Sequence, residues 1–533
     1  MRGYLNEIQC CAKREFISIR WYFIFANCFF CIGLFSASLC GQLTNSDESS
    51  ELILSNLLSQ NNQFFSTDWF YSTELRVLHS QIISSLFFKF LDNWHWVRVI
   101  GMAILFIIFI ASYYFFCYAF QCRKYFAWTA ILLLLPFSYQ WFSVVLIFPH
   151  YIPHISLLFI SVALCELCAK NQDKKHLKQL LWIAAGVAFI AGIGGPRQLV
   201  VSYIPLFLAG ALIYLLDCRV LSSTRKIVEN IRANRYFELC ALISLIAASL
   251  GFAINRHLHK YYYFMRWHKR HFQSLDFQRV QEVFNGFLEC FGVVNADFSA
   301  QILLKNSLSF IFIVIFILGI FILIKRRQKE NGASGRFGLF CLMAVSFFII
   351  LYFFTDMYYT QRYSLPVIVL FIPILAYGAS LFKIAKYLLI VLAIFLSIHS
   401  FVFYLDTTQR KSALPIIAKT LTEKGYKNGY ATFWKANVIT ELSNGNMDMY
   451  IFADDENNLK NFLNIYELSR WLKKIDHLEN KPQGKVFVLF SKPQDQNNSC
   501  PKMKILGKEE YQSEFFIAYG FDSYQTLKNA TIQ

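Results

Sequence analysis

Runs of about 18 or more apolar residues recur along most of this chain, and they constrain its fold more than any other feature. A helix of about 20 apolar residues crosses the hydrocarbon core of a bilayer. Backbone groups in lipid have no water to pair with, so a spanning segment must be helical. Of the 533 residues, 56% are hydrophobic and 16% are charged. The sequence therefore predicts a polytopic α-helical membrane protein.

The apolar runs and the basic loops between them predict a topology. We expect about 11 transmembrane helices, near 20–40, 97–120, 126–146, 150–169, 180–194, 198–217, 236–254, 302–324, 337–354, 364–382 and 387–404. Loops that start at 121, 170, 218, 325 and 383 are rich in Lys and Arg, which marks them as cytoplasmic. The N-terminus is then cytoplasmic, and the outer loops 41–95 and 255–301 face the other side.

The composition changes after the last span. Residues 405–533 are richer in Asn, Lys, Asp and Glu, and they contain no apolar run of spanning length. "SALPIIAKTLTEKGY" has helical spacing, whereas "GYATFW", "MDMYIFA", "KVFVLFS" and "FFIAYGF" are typical of short strands. We predict a transmembrane domain at 1–404 and a small extracytoplasmic α/β domain at 405–533.

The net charge of +17 comes from 51 basic and 34 acidic residues. In a membrane protein, basic cytoplasmic loops and anionic lipid account for such an excess, so we expect the bilayer and not nucleic acid as the partner. The cysteines lie mainly in apolar runs, where they behave as small buried hydrophobic side chains. We therefore predict no metal site from them.

The first outer loop begins with an acidic cluster. In "GQLTNSDESSELILSNLLSQ" (41–60), Asp47 and Glu48 directly follow the first span, and Asp68 comes later in the loop. A carboxylate held at a membrane surface is suited to take a proton from an attacking hydroxyl or amide. An alternative is purely structural, because Asn45 and Glu48 have the spacing of a helix cap and its third residue. In that alternative the cluster starts a helix that lies at the membrane interface.

The second long outer loop departs from the rule that such loops are poor in Lys and Arg. Its opening, "NRHLHKYYYFMRWHKRHFQ" (255–273), interleaves aromatic residues with five cations. Arginine recognises phosphate through paired hydrogen bonds. We predict a phosphate-binding role for this loop together with two arginines elsewhere, and the alternative is an anchor to anionic headgroups. The predicted residues are Arg256, Lys260, Arg266, Lys269, Arg270, Arg197 and Arg362.

A first span, an outer loop with an Asp-Glu pair, amphipathic stretches and many further spans together resemble the GT-C glycosyltransferase superfamily. "YYTQRYSLP" (358–366) is similar to the Arg-Tyr and Pro pattern that opens a late span in such proteins. "GYATFWKANVITELSNG" (429–445) resembles the outer domain of bacterial members. The resemblance implies transfer of a sugar from a polyprenyl-phosphate donor to a glycan, lipid or protein acceptor of the cell envelope, on the extracytoplasmic face of the inner or plasma membrane.

The resemblance also implies roles for the candidate residues. Asp47 and Glu48 match the position of the proposed base, and Asp68 corresponds to a second acidic site later in the same loop. We expect Asp47 to act as the base with Glu48 and Asp68 assisting, and the cations to hold the donor phosphate. A sugar phosphate is already an activated leaving group, so we expect no cofactor, although a divalent cation between carboxylates and phosphate is compatible with the pattern.

Other functions are compatible with a polytopic membrane protein. A glycan polymerase or O-antigen ligase also carries basic outer loops, but it usually lacks an acidic first loop and a large outer tail. A transporter or flippase of lipid-linked sugars tends to show charges at mid-membrane and repeated halves, and neither is evident here. A non-catalytic scaffold would tolerate the loss of Asp47.

Overall fold

The structure is a computed structural model of the full chain. It describes residues 33, 43–72, 75, 77, 79–135, 137–171, 173–220, 224–264, 271–293, 300–326, 332–409, 412–452, 472–491 and 506–531. The described chain divides into two compact units. Unit 1 comprises Leu105–Asn255 and His268–Thr407, and unit 2 comprises Ala37–Ile104, Arg256–Trp267 and Thr408–Gln533.

The described chain is mostly helical. The main helices are α1 (Ser46–Asn61), α2 (Ser80–Phe87), α3 (Trp94–Ala119), α4 (Phe126–Leu134), α5 (Ile152–Lys170), α6 (Lys174–Ile193), α7 (Ile204–Val220), α8 (Thr224–Leu258), α9 (Phe277–Cys290), α10 (Ala300–Lys325), α11 (Ala333–Phe353), α12 (Phe371–Leu381), α13 (Lys383–Gln409), α14 (Leu414–Glu423), α15 (Phe433–Leu442) and α16 (Tyr524–Thr531). Shorter helical segments are Arg123–Tyr125, Tyr139–Trp141, Phe142–Ile147, Leu199–Tyr203, Gln361–Ser364, Leu365–Ile368 and Asp476–Glu479.

Seven helices within the described residues are long and apolar enough to cross a membrane, or eight if the bent pair Arg123–Leu134 and Tyr139–Ile147 counts as one span. The seven are Trp94–Ala119, Ile152–Lys170, Lys174–Ile193, Leu199–Leu216, Asn234–Leu258, Ala333–Phe353 and Gln361–Leu381. Each coincides with a predicted span, so the multi-pass helical class is confirmed. The predicted span at 302–324 falls within α10 and the one at 387–404 within α13. The predicted first span, 20–40, lies outside the described residues except for Gly33.

Aromatic packing forms the centre of unit 1. Tyr113 and Phe159 have ring centroids 5.2 Å apart, and Phe109 stacks on Phe159 at 6.3 Å. Phe116 extends this cluster to Phe337 of α11 at 5.2 Å. Because lipid offers no hydrophobic gain to helix association, close packing of large side chains has to supply much of the cohesion between such helices.

A buried ion-pair network also joins helices of unit 1. The guanidinium of Arg336 in α11 binds both carboxylate oxygens of Glu166 in α5, at 2.8 and 2.9 Å. It also donates to Asn234 of α8 at 2.8 Å, and Lys170 lies 3.4 Å from the same carboxylate. Arg336 and Glu166 are 2% and 0% exposed. Each charged group therefore has polar partners, as a low-dielectric interior requires.

Unit 2 contains a five-stranded mixed sheet. Its strands are β3 (Asn428–Thr432), β4 (Asp448–Phe452), β6 (Val486–Ser491), β7 (Lys508–Gln512) and β8 (Phe516–Phe521), in the order β4-β3-β6-β8-β7. β3 runs parallel to β4 and to β6, whereas β8 runs antiparallel to β6 and to β7. One face of the sheet packs on α14 and α15, and the other packs against α16.

Four strands of this sheet and helix α14 match the predicted segments, so the α/β character of the C-terminal region is confirmed. The prediction was wrong at the end of "GYATFW". Phe433 and Trp434 are the first residues of α15 and not the end of β3. Aromatic residues favour strands locally, but here the backbone turns into a helix directly after Thr432, so tertiary structure overrides the local preference.

A second, three-stranded sheet in unit 2 joins distant segments. β1 (Trp69–Tyr71) pairs in parallel with β2 (Tyr263–Phe264) and antiparallel with β5 (Lys473–Lys474). Trp69 is fully buried, and it packs in one cluster with Leu52 and Leu58 of α1. The apolar side of α1 is therefore packed inside unit 2.

Candidate functional site

The acidic cluster lies in the first turn of α1. The side chain of Asn45 accepts hydrogen bonds from the backbone N–H groups of Asp47 at 2.9 Å and Glu48 at 3.4 Å. This is the cap that the spacing of the sequence predicted. Because Asn45 fills the capping role, the Asp47 carboxylate is not needed for it.

Asp47 and Glu48 have different environments. Asp47 is half-buried, whereas Glu48 is only 6% exposed. Burial raises the pKa of Glu48 well above its usual value, the negative charge of Asp47 adds to this rise, and the positive charge of Arg98 opposes it. Within the described part of the chain, the Glu48 Oε2 atom has no hydrogen-bond partner. The pair therefore combines one accessible carboxylate with one buried carboxyl group that tends to keep its proton.

A buried ion pair of unit 2 lies near the cluster. Arg98 in α3 donates from Nε to Glu441 of α15 at 2.5 Å and also binds the second carboxylate oxygen. Ser49 of α1 donates to the same carboxylate at 2.6 Å. Sequence reasoning missed Arg98 and Glu441. The only signal was a charged residue at the start of an apolar span, in "WHWVRVIG".

Asp68 lies away from this cluster. Its exposed carboxylate accepts a hydrogen bond at 3.4 Å from Asn61, the last residue of α1. A helix rises about 1.5 Å per residue, so Asn61 lies roughly 20 Å along α1 from Asp47. The structure therefore brings Asp47 and Glu48 together and places Asp68 at the opposite end of the helix.

One helical turn after Asp47, Glu51 of α1 pairs with a histidine. The Nδ1 atom of His79 lies 2.9 Å from Glu51 Oε2, and Ser80 donates to the same oxygen. Both Glu51 and His79 are buried. A carboxylate and an imidazole are ligand types that suit borderline divalent cations. Glu51 and His79 are therefore side chains of unit 2 that could hold a metal ion as well as form a hydrogen-bonded pair.

The basic loop is described only in part. Arg256 and Lys260 are exposed at the end of α8 and just beyond it. The neighbouring His259 stacks on Phe264 at 3.8 Å. Arg266, Lys269 and Arg270 lie outside the described residues.

One predicted arginine of unit 1, Arg197, lies in a tyrosine-rich cluster, and the other, Arg362, is adjacent in sequence to a tyrosine of that cluster. The guanidinium of Arg197 lies 5.4 Å from the ring centroid of Tyr151 and 5.9 Å from that of Tyr363. Arg362 precedes Tyr363 in a 3₁₀ turn. Contacts of a guanidinium with aromatic rings hold its plane in a defined orientation. The sequence had indicated the cations but not the rings that orient them.

A further arginine fixes the chain that leads to Arg362. Arg279 of α9 donates to the backbone oxygen of Tyr352 at 3.2 Å and to that of Met357. It also pairs with Glu282 at 2.9 Å. Tyr359 follows in this segment and is hydrogen-bonded to Ser364 at 2.9 Å. Arg279 therefore stabilises the loop between α11 and the 3₁₀ turn.

No protein-family model and no curated protein sequence matches the chain. Among solved structures, it is similar to ArnT from Cupriavidus metallidurans bound to undecaprenyl phosphate, with a TM-score of 0.53 and 10% identity over 94% of this chain and 98% of that one. The apo state of the same ArnT gives 0.44 at 11% identity, over 95% and 98%. A complex of the Archaeoglobus fulgidus oligosaccharyltransferase with zinc and sulfate gives 0.46 at 11% identity, over 86% of this chain and 67% of that one. The chain therefore has an ArnT-like fold.

Proposed function

We propose that this protein is an integral membrane glycosyltransferase of the GT-C type. It transfers a sugar from a polyprenyl-phosphate donor to a cell-envelope acceptor on the extracytoplasmic face of the inner or plasma membrane. The observation that carries the proposal is the similarity to ArnT over nearly the full length of both chains, in a structure of ArnT that holds undecaprenyl phosphate. The apolar helices separated by basic loops, and the acidic first outer loop, support it.

In the proposed reaction, the acceptor oxygen attacks the anomeric carbon of the donor. The bond between that carbon and the phosphate oxygen breaks, and the polyprenyl phosphate leaves with the electron pair. The acceptor proton passes to Asp47, which is the accessible member of the acidic pair. A general base placed in this way typically contributes about 10²–10⁴-fold in rate.

Glu48 is proposed to assist in its protonated form. Its burial disfavours the charged carboxylate, so it limits the negative charge that accumulates beside Asp47. Asp68, at the far end of α1, is proposed to act on a different part of the substrate. This division of roles assigns the proton transfer to Asp47 alone.

The leaving phosphate is assigned to cations. Arg197 and Arg362 are proposed to bind it in the tyrosine-rich cluster, where stacking keeps the Arg197 guanidinium oriented. Arg256 and Lys260 are proposed to attract the anionic donor, together with Arg266, Lys269 and Arg270 of the same loop. Fixed cations stabilise the charge that develops on the phosphate as the bond breaks.

The proposed reaction needs no organic cofactor. If a divalent cation takes part, Glu51 and His79 are the residues of unit 2 that would hold it, and it would neutralise phosphate charge.

We retain the proposed domain limits, 1–404 and 405–533, with a cytoplasmic N-terminus.

Reconstituted protein tests the proposal. Purified protein in liposomes is incubated with a panel of radiolabelled polyprenyl-phosphate sugars and an envelope extract, and both sugar transfer and donor movement across the bilayer are measured. Transfer to an acceptor or to water is the expected result. Donor movement without any transfer would contradict the proposal and favour a flippase.

A further inference from the structure

Helices α1 and α15 lie side by side in unit 2 and run in the same direction. Ser46 at the start of α1 donates to the backbone oxygen of Phe433 at the start of α15. One turn later, Asn437 donates to Ser50 at 2.6 Å. Each contact joins residues at the same distance from the two helix starts, so the N-termini of α1 and α15 lie side by side. Asp47 and Trp434 each directly follow a residue of the first of these contacts.

The N-termini of α1 and α15 lie at one end of the strands of the five-stranded sheet. α15 begins immediately after β3, so both helix starts lie at the carboxyl end of that strand. From β3 the chain first continues to β4 on one side and later enters β6 on the other. Such a reversal of strand order opens a crevice at the carboxyl ends of parallel strands, and α/β domains generally bind ligands there.

Two buried polar atoms at this end of the strands have no partner among the residues that the structure describes. Thr432 is the N-cap residue of α15, but its side chain makes no capping hydrogen bond. It is 2% exposed, and its hydroxyl has no partner in the described part of the chain. The Glu48 Oε2 atom, in the first turn of α1, is equally without one there. Buried polar atoms are nearly always paired, so two such atoms at neighbouring helix starts point to a ligand with several hydrogen-bonding groups.

An exposed aromatic ring completes the arrangement. Trp434 is 49% exposed although it belongs to the first turn of a helix in the packed core of unit 2. Its ring stands at 75° to that of Phe433, with the centroids 5.1 Å apart. A half-exposed indole presents a flat apolar surface beside polar groups.

We propose that Trp434, the first turn of α15 and the Asp47–Glu48 turn form a subsite for a sugar ring of the acceptor. A sugar ring has an apolar face of C–H groups, which stacks on an indole, and a rim of hydroxyls, which bind carboxyl and backbone N–H groups. A lipid chain would leave the polar groups unpaired, and an anionic acceptor group would be repelled by Asp47. The inference rests on the proposed function in that it makes the acceptor a glycan whose hydroxyl reaches Asp47.

Saturation-transfer NMR on the full-length protein tests the subsite without a donor. The probes are methyl α-glucopyranoside, methyl α-mannopyranoside and N-acetylglucosamine. We expect saturation of ring protons for at least one probe with the wild type and with Trp434→Phe, and at least a fivefold loss with Trp434→Ala. Trp182→Ala removes another exposed indole, from α6, and is the control, expected to behave as the wild type.

Two results would overturn the inference: no probe receives saturation from the wild type, or Trp434→Ala receives as much as the wild type. The transfer assay separates this failure from failure of the proposed function. If the wild type transfers sugar and Trp434→Ala does so with an unchanged KM for the acceptor, only the subsite is wrong. If no donor is turned over although a probe binds through Trp434, only the proposed reaction is wrong.

Discussion

Each unit of this protein contains a buried guanidinium–carboxylate pair, and the two pairs differ in their surroundings. In unit 1, Arg336 and Glu166 have further partners in Asn234 and Lys170. In unit 2, Arg98 and Glu441 are joined by Ser49. Beside the second pair, however, lies the buried Glu48, with one oxygen unpartnered within the described residues.

The difference separates a structural network from a candidate for chemistry. A satisfied buried ion pair has no capacity left for a substrate, and its value lies in fixing the helices that supply it. An acidic pair with an unpartnered oxygen and an accessible carboxylate retains capacity to bind and to take a proton. We therefore expect that loss of the Arg336–Glu166 pair lowers the stability of the protein. Changes at the acidic turn of unit 2 should instead lower its activity.

The largest effect is expected when the satisfied pair is broken. Arg336→Met leaves the Glu166 carboxylate buried without its main partner, which typically costs about 3–5 kcal/mol. We expect a clear fall in the melting temperature of the purified protein and in its yield. The double variant Glu166→Leu/Arg336→Met, which removes both charges, should recover much of the loss. An unchanged melting temperature in Arg336→Met would remove the basis of the comparison.

A smaller effect, on the binding of the donor alone, is expected for a substitution in the tyrosine-rich cluster. Arg197→Lys keeps the charge but loses the planar group that stacks on Tyr151 and Tyr363, a change worth about 1 kcal/mol. The KM for the polyprenyl-phosphate donor should rise roughly five- to tenfold, with little change in melting temperature. Lys419→Gln, at an exposed position of α14, is the control and should leave the KM unchanged. A KM for Arg197→Lys equal to that of the wild type would contradict the phosphate assignment.

The smallest effect concerns the pH dependence of stability. The pKa of Glu48 is raised in the folded protein, mainly by burial, so the native state holds a proton that the unfolded state releases above a pH of about 4.5. Stability from this group is complete below that pH and declines as the pH rises towards the folded pKa. Glu48→Gln should therefore match the wild type near pH 4.5 and melt a few degrees higher at pH 7.5. If the melting temperatures of Glu48→Gln and the wild type differ by the same amount at both pH values, Glu48 is not held in its protonated form.

Much of the helical framework could be predicted from the sequence because the bilayer imposes it. Every candidate span found in the described residues falls on an apolar run, since a helix in lipid must be long and apolar regardless of its neighbours. The strands around Tyr430, Tyr450 and Val488 could also be predicted, because buried strands are short apolar runs between polar segments.

The candidate site could be predicted only in part. The helix start at Asn45 and the acidic pair follow from local spacing. The partnership of α1 with α15 does not, because Ser46 and Phe433 are 387 residues apart in sequence. The same holds for the sheet that joins β1, β2 and β5, and for the contact of Arg98 with Glu441. Such contacts depend on tertiary packing, which a periodic pattern in one segment does not contain.

Proton transfer at the acidic turn of α1 is tested most directly by one substitution. Sugar transfer is measured in proteoliposomes for the wild type and Asp47→Asn, with the amounts of folded protein matched by size exclusion and melting temperature. Proton transfer by Asp47 predicts a loss of at least about 100-fold in kcat with an unchanged melting temperature. Equal activity of the two proteins would contradict it and reduce Asp47 to a residue of the helix start.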